Sequence, residues 1–282
     1  MRTEQEMFDL ILGVAKSDER IRAVYMNGSR ANPNAPRDQY QDYDIVYIVQ
    51  EFDSFVQNQN WIDVFGKRLM LQMPETMRDP LGKGHFNWMM LFTDGNRLDL
   101  SLYPIEKPEL IDHDSATIPL LDKDGILPEY PTASDRDYWV QKPNTLYYFS
   151  CCNNFWWCMQ NVGKGIARGE LPYAMTMYHT VVREDLHDML SWYVGCQHNF
   201  SVSTGKMGKY FRRFLPEDLY AQYEATFSGA DPEAMWNSVF AACKLFRTVS
   251  ESVANALGYE FLPQDADNMM HYLQMVRSES QK

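Results

Sequence analysis

Residues 23–49 read AVYMNGSRANPNAPRDQYQDYDIVYIV, and this stretch decides the fold. An apolar segment, 23–26, predicts a strand running into Asn27-Gly28-Ser29-Arg30. A polar, proline-bearing connection follows, and Asp42-Tyr43-Asp44 then opens a β-branched run over 45–49. Side chains alternate along a strand, so Asp42 and Asp44 share a face. Two ionised carboxylates side by side at the mouth of a buried strand repel each other and lose hydration unless a cation joins them. Hard oxygen ligands of this kind suit Mg²⁺, which takes one or two carboxylates and completes its octahedron with water and substrate phosphates. For an isolated D-x-D the plainer reading, one carboxylate capping a turn and the other in solvent, stays open.

Two neighbours weigh against that plainer reading. Gly28 lets backbone come close to a phosphate, and Ser29 adds a hydroxyl and an N–H at a strand-to-helix turn, where N–H groups point at an anion. A third carboxylate, Asp99, lies in Arg97-Leu98-Asp99-Leu100-Ser101-Leu102, whose alternation puts the leucines on one face and Asp99 with Ser101 on the other. Residues 86–92 predict the preceding strand, and Thr93-Asp94-Gly95-Asn96 supplies the hairpin turn. Elsewhere in this half, an amphipathic helix is expected over 1–16, from Met7, Leu10, Ile11 and Val14. A helix is expected over 54–65, a short strand over 69–73, a loop over 76–84 and a strand-like fragment over 118–121. Prolines at 108, 119, 128 and 131 break up the stretch 106–137, read as the edge of the first domain and the connection to the second.

Beyond residue 138 the periodicity becomes helical, with segments expected at 143–168, 172–195, 216–227, 232–257 and from about 265. Prolines stand near several starts and Gly169, Gly195 and Gly258 near ends. Lys164 and Arg168 are one helical turn apart and share a face; Lys206 and Lys209 flank Gly208. Arg30 follows the Gly-Ser turn directly. These five are candidate triphosphate cations, each with the alternative of an ordinary surface charge. Gly163-Lys164-Gly165 lacks the G-x-x-x-x-G-K-[ST] frame, which disfavours P-loop chemistry. Glu170, where two helices meet, is a candidate proton acceptor, with Glu184 and Asp185 as competitors. Phe155, Trp156 and Trp157 are contiguous and cannot share one helix face, so at least one ring is expected to reach an interface between domains or a ligand, with core packing as the commoner alternative.

The chain of 282 residues is 45% hydrophobic and 14% aromatic, the composition of a folded protein large enough for two modest domains. A net charge of −12 argues against a nucleic-acid enzyme, which needs clustered Lys and Arg to neutralise phosphates, and suits a cationic substrate, with plain solubility as the equal alternative. The five cysteines show no paired C-x-x-C spacing, and no H-E-x-x-H occurs, so no zinc site is expected and the thiols are read as free in a reducing compartment. No apolar run reaches the ~18 residues of a membrane span, and the first residues lack a secretory pattern, which gives a cytoplasmic reading with no membrane partner.

Gly28-Ser29, Asp42-x-Asp44 and the later strand residue Asp99 resemble the signature of the DNA polymerase beta-type nucleotidyltransferase superfamily. The stretches MNGSRAN (26–32), DYDIVYIV (42–49), RLDLSL (97–102), FWWCMQNVGKGIARGEL (155–171) and VSTGKMGKY (202–210) resemble the aminoglycoside 6-adenylyltransferases, also called streptomycin adenylyltransferases. The resemblance runs over nearly the whole chain. It implies an α+β fold with an N-terminal nucleotidyltransferase domain, 1–137, of mixed sheet and flanking helices, and an all-helical domain, 138–282, that binds substrate and nucleotide. It further implies transfer of AMP from ATP to the 6-hydroxyl of streptomycin, with Mg²⁺ held by Asp42, Asp44 and Asp99, and a monomer or weak homodimer. Asp99 is expected to ligate a second metal or to lie nearest the attacking hydroxyl. Other acceptors and a non-catalytic sensor are the alternatives.

Overall fold

The computed structural model describes residues 1–80, 84–111 and 113–281, which divide into two compact units, Met1–Asp137 and Tyr138–Lys282. The first opens with the helix Glu4–Ser17. Thr3 caps it reciprocally: its hydroxyl accepts from the Glu6 N–H, and the Glu6 carboxylate accepts from the Thr3 N–H. Met7, Ile11 and Ala15, at four-residue spacing, are fully buried on one stripe of this helix.

The helix lies against a mixed sheet, six-stranded among the described residues. Its strands are β1 (Ile21–Asn27), β2 (Tyr43–Val49), β3 (Arg68–Gln72), β4 (Phe86–Phe92), β5 (Arg97–Pro104) and β6 (Ile118–Asp122), in the order β3-β4-β5-β2-β1-β6. Only β2 and β5 pair in parallel; the other pairings are antiparallel. In β5 the alternation is complete: Leu98, Leu100 and Leu102 are buried, and Asp99, Ser101 and Tyr103 face outward. Along β2 every residue but Asp44 is buried. Tyr43, Ile45, Tyr47 and Val49 join the main core, whereas Val46 and Ile48 pack with Ala23 and Tyr25 on the opposite face. Asp44, the second residue of β2, belongs to that opposite face.

The stretch 54–65 is not one helix. A short helix, Phe52–Gln57, stops at Asn58, and a 3₁₀ segment, Gln59–Phe65, takes over. The run Asn58-Gln59-Asn60 explains the break, since Asn side chains compete for backbone hydrogen bonds and weaken helix interiors. Of the loop expected over 76–84, residues 81–83 lie outside the described residues.

The second unit is helical. Its longest helices are Thr145–Ala167 and Pro232–Leu257, packed through Phe155 and Phe246, whose rings stack 3.7 Å apart at 4°. Asn144 caps the first and Asp231 the second, each accepting a backbone N–H from three residues on. The segment 172–195 divides into Leu171–Thr176, a π-helical Met177–Val182 and Arg183–Gln197. Within the widened turn, buried Tyr178 donates its hydroxyl to the carbonyls of Thr226 and Ser238, long-range bonds that periodicity cannot anticipate. Gly163 serves packing: a methyl there would press on Leu273 of the helix Pro263–Ser280 and on Trp236. Phe155 and Trp156 are core residues, and Trp157 is the ring that turns outward, 64% exposed.

Candidate active site

Gly28 follows β1 directly and starts a single turn of helix, Gly28–Ala31. Its φ of +75° lies in the region glycine enters at little cost. Any Cβ there would fall on the Asp44 carboxylate, so the missing side chain is what allows this backbone and that carboxylate to approach. Asn27 and Asp44 are register partners across β1 and β2, which fixes the approach.

On the other side of β2, Asp44 is the register partner of Asp99 on β5. Neighbouring strands lie about 4.8 Å apart, so two carboxylates from different parts of the chain stand on one sheet face a strand apart. Asp42 sits just before β2. Arg97, at the first position of β5, reaches both ends of the group. Its Nε and Nη2 form a fork to Asp99 at 2.8 and 2.6 Å, and its Nη1 lies 3.2 Å from an Asp42 oxygen.

The electrostatics follow from this crowding. Burial, then repulsion by Asp99 and Asp42, lifts the Asp44 carboxyl to about 6. Asp42 is also raised, chiefly by burial, with Arg97 opposing. The Arg97 guanidinium is itself stabilised in its charged form by the hydrogen bond to Asp99. Among the described residues no three His, Cys, Asp or Glu side chains are already gathered round a metal position; Arg97 stands between Asp42 and Asp99 instead. The donor set nevertheless fits a hard divalent cation, being all carboxylate oxygen, partly desolvated and in negative excess over one guanidinium.

Arg30 turns inward. Only 5% exposed, it lies over the Tyr43 ring, donates to the backbone carbonyls of Asp42 and Gln41, and meets Glu4 at 3.3 Å. Its guanidinium thereby anchors the backbone that carries Asp42. Gln41 donates to the Ser29 carbonyl, tying the same loop to the glycine turn. The remaining candidates belong to the helical unit. Lys164 is in the last turn of Thr145–Ala167 and Arg168 caps that helix. Glu170 is exposed, 3.9 Å from Arg168, at the start of Leu171–Thr176. Lys206 lies in the 3₁₀ turn Lys206–Gly208, which Lys209 ends with its ammonium 5.1 Å from the Tyr210 ring centre. Glu184 and Asp185 open Arg183–Gln197, where burial raises Asp185 to about 7 and Asn154 donates to it.

Arg97 escapes the sequence reading, although a signal for it exists. In R-x-D on a strand the arginine shares the carboxylate's face, as D-x-D does for its pair.

A glycine-led turn closing one strand, a carboxylate pair opening the next and a third carboxylate in register on a parallel neighbour make the constellation of a nucleotidyltransferase. A family model described as streptomycin adenylyltransferase matches residues 1–276. An aminoglycoside 6-adenylyltransferase of Bacillus subtilis (strain 168) is 40% identical over 265 residues, 93% of each chain. One of Campylobacter jejuni is 40% identical over 263 residues, 93% of this chain and 91% of that one. A crystal structure of an aminoglycoside 6-adenyltransferase from Bacillus subtilis is 35% identical, covering 98% of this chain and 99% of that one at a TM-score of 0.48. The chain belongs to the streptomycin adenylyltransferase family.

Proposed function

We propose that the protein transfers AMP from ATP to the 6-hydroxyl of streptomycin. The observation that carries this is the register pairing of Asp44 with Asp99, beside Asp42 and against the Gly28 turn. The acceptor oxygen bonds to the α-phosphorus, the bond to the β-phosphate oxygen breaks, and pyrophosphate leaves. The hydroxyl proton passes to a carboxylate, for which Asp99 is the first candidate and Glu170 the second. Asp42 and Asp44 would hold the Mg²⁺ that accompanies the nucleotide, and Asp99 a second one or the attacking hydroxyl. Mg²⁺ supplies charge neutralisation on the phosphates.

The chain's own residues do the positioning. The N–H groups of the Gly28-Ser29 turn offer donors to phosphate oxygens without a side chain in the way. Arg30 keeps the Asp42 carbonyl, and with it the carboxylate, in place. Lys164, Arg168, Lys206 and Lys209 are the cations assigned to the triphosphate. A net charge of −12 favours accumulation of a polycationic acceptor and disfavours a polyanionic one. The deciding experiment measures pyrophosphate release with ATP and Mg²⁺, with and without streptomycin, beside Asp44→Asn. Streptomycin-dependent release, an adenylylated drug by mass and loss of both in the variant are expected. Release that ignores streptomycin but follows another hydroxyl compound would overturn the acceptor assignment alone. Full activity of the variant would overturn the carboxylate assignment.

A further inference from the structure

We infer that Arg97 is a built-in counterion of the three carboxylates and exchanges with the divalent metal. The inference rests on the reading of Asp42, Asp44 and Asp99 as metal-holding residues. Its basis is the way Arg97 is held. The guanidinium makes a two-pronged pair with Asp99 and a single contact with Asp42, so it spans the same oxygens that a metal would take. Its cationic atoms have no other ion-pair partner among the described residues. It is also 39% exposed and stands where the hairpin turn enters β5, so it can leave without disturbing the core.

A carboxylate oxygen that accepts a short charge-assisted hydrogen bond has fewer lone pairs and less charge to offer a metal. Arg97 and the metal therefore compete for Asp42 and Asp99. In the metal-free protein the guanidinium limits the repulsion that would otherwise spread the loop carrying Asp42 away from β5. When a divalent cation takes over that work, the guanidinium is released beside the carboxylates. A planar fork of donors is then free for phosphate oxygens of the nucleotide. Arg97 on this account serves the carboxylates before the metal arrives and the phosphates after it, and the acidic excess that its guanidinium cannot balance is what makes the exchange favourable.

The test reads metal binding and the arginine itself. Mn²⁺ titration by electron paramagnetic resonance, without nucleotide, should give Arg97→Gln an affinity about tenfold higher than wild type, because no charge-assisted pair has to be broken. Arg97→Lys, which keeps the charge but loses the fork, should fall between the two. In the unaltered protein, the Nε–H resonance of Arg97 should be protected without metal and lose that protection as Mg²⁺ is added. Equal or weaker Mn²⁺ binding by Arg97→Gln, or an Arg97 resonance that stays protected while Mg²⁺ binds, would overturn the inference and leave Arg97 a permanent partner of Asp99. Failure of the underlying metal reading looks different: Mn²⁺ binding would be absent from every form, or unchanged in Asp44→Asn.

Discussion

Replacing Asp44 by Asn is expected to make the metal-free protein more stable while removing its activity. Asp44 is carried from an ordinary value of 3.8 to about 6, mainly by burial and then by Asp99 and Asp42. At 1.36 kcal/mol for each tenfold change in acidity, keeping this group ionised costs the folded state about 3 kcal/mol. Asn has nearly the same shape, carries no charge and can donate to the two neighbouring carboxylates, so it relieves most of that cost. The sign is fixed by linkage. The folded state binds the proton more tightly than the unfolded chain, so wild-type stability falls as pH rises from 3.8 through 6 and is flat above about 7. The gap between variant and wild type should thus shrink to about 0.5 kcal/mol at pH 4 and approach 3 kcal/mol above pH 7. Urea denaturation of both proteins in EDTA, at pH 4 and pH 7.5, reads this directly. Mg²⁺ with nucleotide should then narrow or reverse the order, since a ligand at a hundred times its Kd stabilises the form that binds it by about 2.7 kcal/mol. A variant no more stable than wild type at pH 7.5, or a gap that ignores pH, would refute the reasoning.

Two further substitutions separate backbone placement from packing. Gly28→Ala puts a methyl group on the Asp44 carboxylate and forces a side chain to φ +75°, so activity should fall at least about a hundredfold, with about 1–2 kcal/mol lost from the backbone strain; turnover within a few-fold of wild type would show that the turn tolerates a side chain. Phe155→Ala empties the stacked pair with Phe246 in the helical unit and should cost about 3–5 kcal/mol in urea denaturation. A cost under about 1 kcal/mol there would mean that the helices Thr145–Ala167 and Pro232–Leu257 close over the gap.

Legibility differed by the range of the interaction involved. The strands 86–92 and 97–104 and the turn between them are local, since alternation and Asp94-Gly95 chemistry are properties of adjacent residues. The helix Pro232–Leu257 is equally local, with Asp231 before its proline and Gly258, at φ +71°, after its last leucine. Alternation likewise placed Asp99 and Ser101 on the outward face of β5. It did not pair Asp44 with Asp99, because the register between two strands 55 residues apart is decided by the cores on both faces. Arg30 shows the same limit from another side: its position beside the glycine turn is visible in sequence, but its burial under Glu4 and over Tyr43 depends on two other elements. The π-helical turn at Met177–Val182 depends on Tyr178 reaching carbonyls 48 and 60 residues away.

The site also shows why three carboxylates survive in so costly a place. A strand that buries Tyr43, Ile45, Val46, Tyr47, Ile48 and Val49 could bury an apolar residue at position 44 as well, and the protein would gain stability by it. Instead the position carries a charge whose cost is only partly offset, because Arg97 is paired with Asp99 and Asp42, Arg30 is turned to backbone carbonyls and Glu4, and both act on Asp44 only at longer range. The folded chain therefore keeps at position 44 a charge that its own cations balance only in part. On the proposed function, a cation brought in with the nucleotide would offset that cost and would link the order of these carboxylates to nucleotide binding. Stability in EDTA, compared with stability in Mg²⁺ and nucleotide, would then read how well the proposed site is formed, and equal stability in the two would count against the link.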